Sequence, residues 1–165
     1  MALEADTSSL LARPTCRVVV VDGQDRVLLL RHLTLNEEAF WVPPGGGAEG
    51  DESPEEAALR ELWEETGLRD VSLGPCVWRR RLRMDLGEGL RDFEEHFFFC
   101  RIDSHEVGDH VNVDSAEAAM VTAARWWTVD EIEASSEYFA PRELGRLLRL
   151  LLAGDFPAEP PVIVE

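Results

Sequence analysis

The sequence predicts an α/β sandwich from three observations: apolar, β-branched runs cut by turn residues, one acidic helix with both ends signalled, and a leucine-striped helix late in the chain. Residues 16–21 and 26–33 flank Asp22-Gly23-Gln24-Asp25, a turn-rich tetrapeptide, and read as a β-hairpin. Residues 39–42 form a short third strand. Pro43-Pro44-Gly45-Gly46-Gly47 closes it, and two prolines with three glycines exclude a regular element there. Ser53 then supplies an N-cap, Pro54 the first helical position and Glu56 the second half of a capping box, while Gly67 ends the helix. Residues 71–84 and 94–102 are extended, with the glycine-bearing segment 85–89 between them, and 123–128 make a shorter strand. An acidic loop over 103–120 is long enough to suggest function. A brief helix over 129–134 precedes a longer one over 141–153, where Leu144, Leu147, Leu148, Leu151 and Leu152 share one stripe.

At 165 residues and 45% hydrophobic, the chain fits a single domain over 14–155. A mobile leader over 1–13 precedes it, and an extended tail over 156–165 follows. That tail carries three prolines and Val162-Ile163-Val164, and docks either on its own domain or on the second subunit of a homodimer. The formal charge of −17 repels a polyphosphate backbone, which argues against long nucleic acid as a partner. All 16 basic residues are arginine, which excludes lysine catalysis and makes any phosphate clamp a guanidinium. Cys16, Cys76 and Cys100 are odd in number and scattered, so they read as buried thiols. The first twelve residues lack the pattern of a signal peptide and no apolar run is of membrane-spanning length, so a cytoplasmic protein without a membrane partner is expected.

On the acidic helix, Leu59, Leu62, Trp63 and Thr66 follow a helical repeat and are expected to face the core, with Glu61, Glu64 and Glu65 opposite. Three carboxylates at this spacing repel one another, and they lie at the helix end where the dipole also disfavours anions. A solvated charged face is the ordinary meaning of such a cluster. A hard, oxygen-seeking cation, Mg²⁺ or Mn²⁺, turns the same repulsion into a ligand set.

The wider spacing decides between them. Gly46, five residues, Glu52, seven residues, then Arg60-Glu61-Leu62-Trp63-Glu64-Glu65-Thr66-Gly67-Leu68 fills every fixed position of the Nudix box. The chain therefore resembles the Nudix hydrolases over roughly residues 15–153. The resemblance implies an α/β/α sandwich with a mixed sheet and a loop-helix-loop box. In that family the carboxylates matching Glu61, Glu64 and Glu65 bind metal, the carbonyl matching Gly46 often joins them, and the residue matching Arg60 orients them. Those matching Glu52 and Gly67 have structural roles in the box. A general base comes from the box helix, here Glu64 or Glu65, or from a later loop, where Glu117 is the favoured candidate and Glu94 and Glu95 its rivals.

Arg79, Arg81 and Arg83 alternate along one strand and share a face, where they receive substrate phosphates or pair with the protein's own acids. Trp41, Trp78, Trp126, Phe97 and Phe99 read as core before base-stacking, and His32, His96, His105 and His110 show no ligand spacing. The family's marks for ADP-ribose, dinucleoside polyphosphate and coenzyme A substrates are missing. The expected function is metal-dependent hydrolysis of a small-molecule nucleotide, either a nucleoside triphosphate or an ADP-ribose-like compound. A catalytically weak nucleotide-binding or regulatory module is the alternative, and an isoprenyl diphosphate isomerase ranks last.

Overall fold

The computed structural model describes residues 14–34, 36–85, 89–107 and 121–165. Along the chain run β1 (Thr15–Val21), β2 (Val27–Leu33), β3 (Ala39–Val42), β4 (Gly45–Gly47), α1 (Pro54–Thr66) and β5 (Cys76–Asp85). They are followed by β6 (Leu90–Arg101), β7 (Val121–Trp127), α2 (Val129–Ala134), α3 (Leu144–Leu152) and β8 (Val162–Val164). The sheet is mixed, in the order β3-β2-β1-β6-β5-β8, with β4 added to β1 and β7 to β2. β1 lies parallel to β6 and antiparallel to β4, whereas β2 lies antiparallel to β3 and β7. β1 and β2 meet at Val21 and Val27, and beyond that pair each turns its edge to different partners.

Alternation along β1 explains why its valines are buried on both faces. Val19 and Val21 pack with Trp78, Phe97, Phe99, Ile132 and the leucines of α3. Val18 and Val20 pack with Leu28, Phe98 and, from α1, Ala57, Ala58 and Leu62. Helices thus cover opposite faces of the strands, and the predicted sandwich is the observed one.

Several elements differ from their sequence-based limits. Gly45–Gly47 is a strand after all, pairing with residues 15–17 of β1. Only glycine permits it, because a Cβ on Gly45 would lie 2.2 Å from the Cys16 carbonyl oxygen. β5 starts at Cys76 because residues 71–75 are held irregularly, with the Gly74 N–H donating to Phe99 O at 2.7 Å. β6 reaches back to Leu90, since the antiparallel ladder with β5 continues to the Asp85–Leu90 pair. Thr128 leaves β7 to cap α2, accepting from the Glu131 N–H. α3 begins at Leu144, not residue 141, because residues 141–143 form the turn that enters it.

The tail lies on its own sheet. Val162, Ile163 and Val164 pair in parallel with Arg79, Arg80 and Arg81 of β5. Among the described residues no helix is long and apolar enough to cross a membrane. The leader over 1–13 and most of the acidic loop, 108–120 with Glu117 and His110, lie outside the described residues.

Candidate active site

α1 is capped at both ends as its residues dictate. Ser53 and Glu56 form the reciprocal capping box, and Gly67 closes the helix in the left-handed region at φ 75°, its N–H donating to Trp63 O. The buried face is different from the expected one. Ala57, Ala58, Glu61, Leu62 and Thr66 are buried, while Leu59 and Trp63 are 37% and 43% exposed. The large side chains misled the periodicity: two small alanines let the helix settle closely on the sheet, and the face they define includes Glu61. Trp63 is covered instead by the Arg69 guanidinium, 4.5 Å from its ring centroid.

Glu61 is only 8% exposed, an unusual position for a carboxylate on a helix. It fits because Gly46 has no side chain; a Cβ there would stand 2.4 Å from Glu61 Oε1. Arg60 supplies the compensating charge. Its Nη1 lies 2.9 Å from Glu61 Oε1 and 3.2 Å from Glu64 Oε2, its Nε donates to Glu52 Oε1 at 2.9 Å, and its Nη2 donates to Gly47 O at 3.0 Å. Burial opposes the charge on Arg60, but Glu52 and then Glu61 outweigh it, so the guanidinium is held more firmly protonated than usual. Glu65 turns towards the strand, its Oε1 accepting from the Gly45 N–H at 2.9 Å. β4, the loop after it and α1 thereby gather Gly45, Gly46, Glu52, Arg60, Glu61, Glu64 and Glu65.

As these side chains lie, no three carboxylate, imidazole or thiol groups converge on one point among the described residues. Glu61 and Glu64 are nonetheless close enough to share a single cationic nitrogen. The donors are all hard oxygens, the cradle at Gly46 leaves room for Glu61, and that chemistry fits Mg²⁺ or Mn²⁺.

Arg79, Arg81 and Arg83 share a face of β5, as expected, and lie beside acids of β6. Arg79 Nη1 is 3.9 Å and Arg81 Nε 3.5 Å from Glu94, and Arg83 Nε is 2.7 Å from Asp92 Oδ1. Glu95, on the other face, is 4% exposed with both oxygens taken by Arg17 and Arg80. Burial by itself would raise its carboxyl, but Arg17 and then Arg80 outweigh that and hold it below its ordinary value. With both oxygens held by guanidinium groups, Glu95 is placed as an anchor between β1 and β5. Trp41, Trp78, Phe97 and Phe99 are core residues. Trp126 is partly buried, its Nε1–H donating to His105 O at 3.1 Å, and His105 Nε2 lies 2.8 Å from Thr66 O. The start of the acidic loop is in this way tied to the end of α1. Burial pushes the Cys16 thiol up to about 11 and raises Cys100 as well, so neither is a poised nucleophile.

The family model described as NUDIX domain matches residues 11–149. The chain belongs to the Nudix family. Among its relatives, the m7GpppN-mRNA hydrolase NUDT17 of Bos taurus is 32% identical over 127 residues, 71% of this chain and 41% of that protein. An RNA pyrophosphohydrolase of Alkalilimnicola ehrlichii is 29% identical over 164 residues, 91% of this chain and 88% of the relative. The Nudix chain thus spans less than half of the bovine relative and nearly all of the bacterial one. Among solved structures, the NUDIX domain of Shewanella oneidensis NrtR complexed with ADP ribose superposes with a TM-score of 0.65 at 19% identity, covering 90% of this chain and 94% of that one. The MutT protein of Methanosarcina mazei gives 0.64 at 18%, covering 93% and 99%. At such identities these neighbours speak for the fold alone.

Sequence reasoning missed Arg17 and Arg80. Neither stands in the box, and what joins them to Glu95 is the registration of β1 and β5 against β6. The available signal was weak: an arginine in an otherwise apolar β1.

Proposed function

We propose that this Nudix chain is a divalent-metal-dependent pyrophosphohydrolase that cleaves the phosphoanhydride of a small nucleotide, a nucleoside triphosphate or an ADP-ribose-like compound. The observation that carries the reading is the Arg60 hub, which holds Glu52, Glu61 and Glu64 together beside Gly46. Glu61, Glu64 and Glu65, with the Gly46 carbonyl, would hold Mg²⁺ or Mn²⁺, which supplies charge neutralisation at the phosphoryl oxygens and a lowered pKa for water. Water adds to one phosphorus, the bridging P–O bond breaks, and the displaced phosphate leaves with the bonding electrons. The water's proton passes to a carboxylate, Glu64 or Glu65 on the helix or Glu117 on the acidic loop. Arg60 acts by position, and Glu52 and Gly67 support the geometry of the box. Arg79, Arg81 and Arg83 receive a distal phosphate or acidic group by exchanging ion pairs with Glu94 and Asp92. Solvent screens exposed pairs of that kind, so a phosphate displaces them readily.

Relatives named m7GpppN-mRNA hydrolase and RNA pyrophosphohydrolase raise RNA as a substrate. The −17 charge opposes a long polyanion, and the free nucleotide is therefore preferred. The test is a screen of nucleoside triphosphates, ADP-ribose, dinucleoside polyphosphates and a 5′-triphosphorylated oligoribonucleotide, with Mg²⁺ or Mn²⁺. Turnover on a free nucleotide is expected, abolished by EDTA and lowered about 100-fold or more by Glu64→Gln. Binding of a nucleotide without turnover would replace the hydrolase by a regulatory binding module.

A further inference from the structure

The feature that the catalytic reading leaves unused is a partly buried chain of ion pairs leading away from the box. Glu95 Oε1 accepts from Arg17 Nε at 2.8 Å and Oε2 from Arg80 Nε at 2.7 Å. Arg80, 7% exposed, reaches Glu165 Oε2 through Nη1 at 2.9 Å. Glu165 stands just after β8, and its other carboxylate oxygen accepts from the Arg142 N–H at 2.8 Å. At the opposite end, Arg17 Nη1 donates to Pro43 O at 3.1 Å. The backbone of Arg17 also seats Gly45, where a Cβ would come within 2.6 Å of Arg17 Cα. The next link is the Gly45 N–H, which donates to Glu65 Oε1 at 2.9 Å.

We infer that Glu165 is a positioning residue for the box: through Arg80, Glu95 and Arg17 it holds the turn at Pro43 to Gly45 where Gly45 can orient the Glu65 carboxylate. Two guanidinium groups and a carboxylate are costly to remove from water, and apolar side chains would fill the same space at lower cost. What the ionic set adds is direction, because planar guanidinium forks fix both the distance and the angle between strands. Glu165 shares the Arg80 guanidinium with Glu95, so removing the Glu165 charge draws Glu95 towards Arg80 and loosens its hold on Arg17, hence on Pro43. The tail, which lies outside the box in sequence, thereby reports on the box in space. The consequence for turnover rests on the hydrolase reading; the consequence for the turn does not.

The test uses the full chain carrying Glu165→Gln, which keeps the shape and removes the charge, with Glu165→Asp as the conservative variant. Amide exchange of Gly45, read by NMR, is expected to rise about tenfold in Glu165→Gln, while the amides of Val19 in β1 and of α3 stay within about twofold. Glu165→Asp should fall between the two. On the substrate found by the screen, kcat should drop several-fold with KM held within about twofold. Unchanged Gly45 exchange in Glu165→Gln would overturn the inference, whatever happens to turnover. So would a rise shared equally by Val19 and α3, which marks general loosening. If the wild-type protein turns nothing over, the hydrolase reading fails and the exchange experiment still decides this one.

Discussion

His32 shows how a single buried side chain sets a stability window. Its Nε2 is buried without a hydrogen-bond partner among the described residues, and its ring lies 5.5 Å from that of Phe40. Burial, and then the nearby positive charge of Arg17, push the imidazole from its ordinary 6.5 down to about 4. Unfolding restores the ordinary value. Below pH 6.5 the unfolded chain therefore takes up a proton that the folded chain refuses until the pH approaches 4. The stability at issue is intact above that window and lost across it, by at most about 3 kcal/mol. Urea denaturation from pH 7 downward should show a steeper loss for the wild type than for His32→Gln. Parallel curves for the two proteins would count against this account. Glu95 follows the same sign from a different cause: its guanidinium neighbours outweigh burial and hold its carboxyl below the ordinary 4.5, so its contribution is present above that pH and lost as the pH falls below it.

For elements, α1 carries the largest difference between pattern and packing. Four large or β-branched residues, Leu59, Leu62, Trp63 and Thr66, suggested the inner face, yet Leu62 and Thr66 alone among them are buried. Burial follows what the neighbouring surface accepts, and Gly46 accepts a carboxylate while the bulk of Trp63 finds room outside. The contrast can be measured. Leu62→Ala, at 0% exposure, should cost about 2–5 kcal/mol, and Trp63→Ala, at 43%, less than half of that. Equal losses in chemical denaturation would restore the inner placement of Trp63. The other element-level surprise, β4, has the same origin: three glycines read locally as a loop become a strand when the edge of β1 is close enough to pair with them.

Across the whole molecule, the −17 charge is unevenly compensated. Many arginines are committed to acids of their own neighbourhood: Arg26 to Asp22, Arg101 to Asp25, and Arg149 to Asp130 and Glu133. At the box, four carboxylates face one arginine, counting Glu49 at 4.0 Å, Glu52, Glu61 and Glu64. Folding concentrates that negative charge, so a cation that binds only the folded state should stabilise it. Adding Mn²⁺ or Mg²⁺ to metal-free protein should raise Tm. At a hundred times the dissociation constant the gain is about 2.7 kcal/mol, and Glu61→Gln should blunt it. A Tm indifferent to both cations would remove the metal from the proposed mechanism.

The box itself was legible in the sequence because it is local: Gly46, Glu52 and the run from Arg60 to Gly67 lie within one short strand, the loop after it and one capped helix, so spacing alone brings them near one another. The strand and helix order, the capping box at Ser53 and the leucine stripe of α3 were legible for the same reason. Tertiary structure alone decided the inward turn of Glu61, the pairing of Arg79 and Arg81 with Glu94, the home of the tail on β5, and the joining of Arg17, Arg80, Glu95 and Glu165. These depend on register between strands distant along the chain. A register shift of one residue moves every side chain to the opposite face, and a single sequence carries no local mark of which register wins.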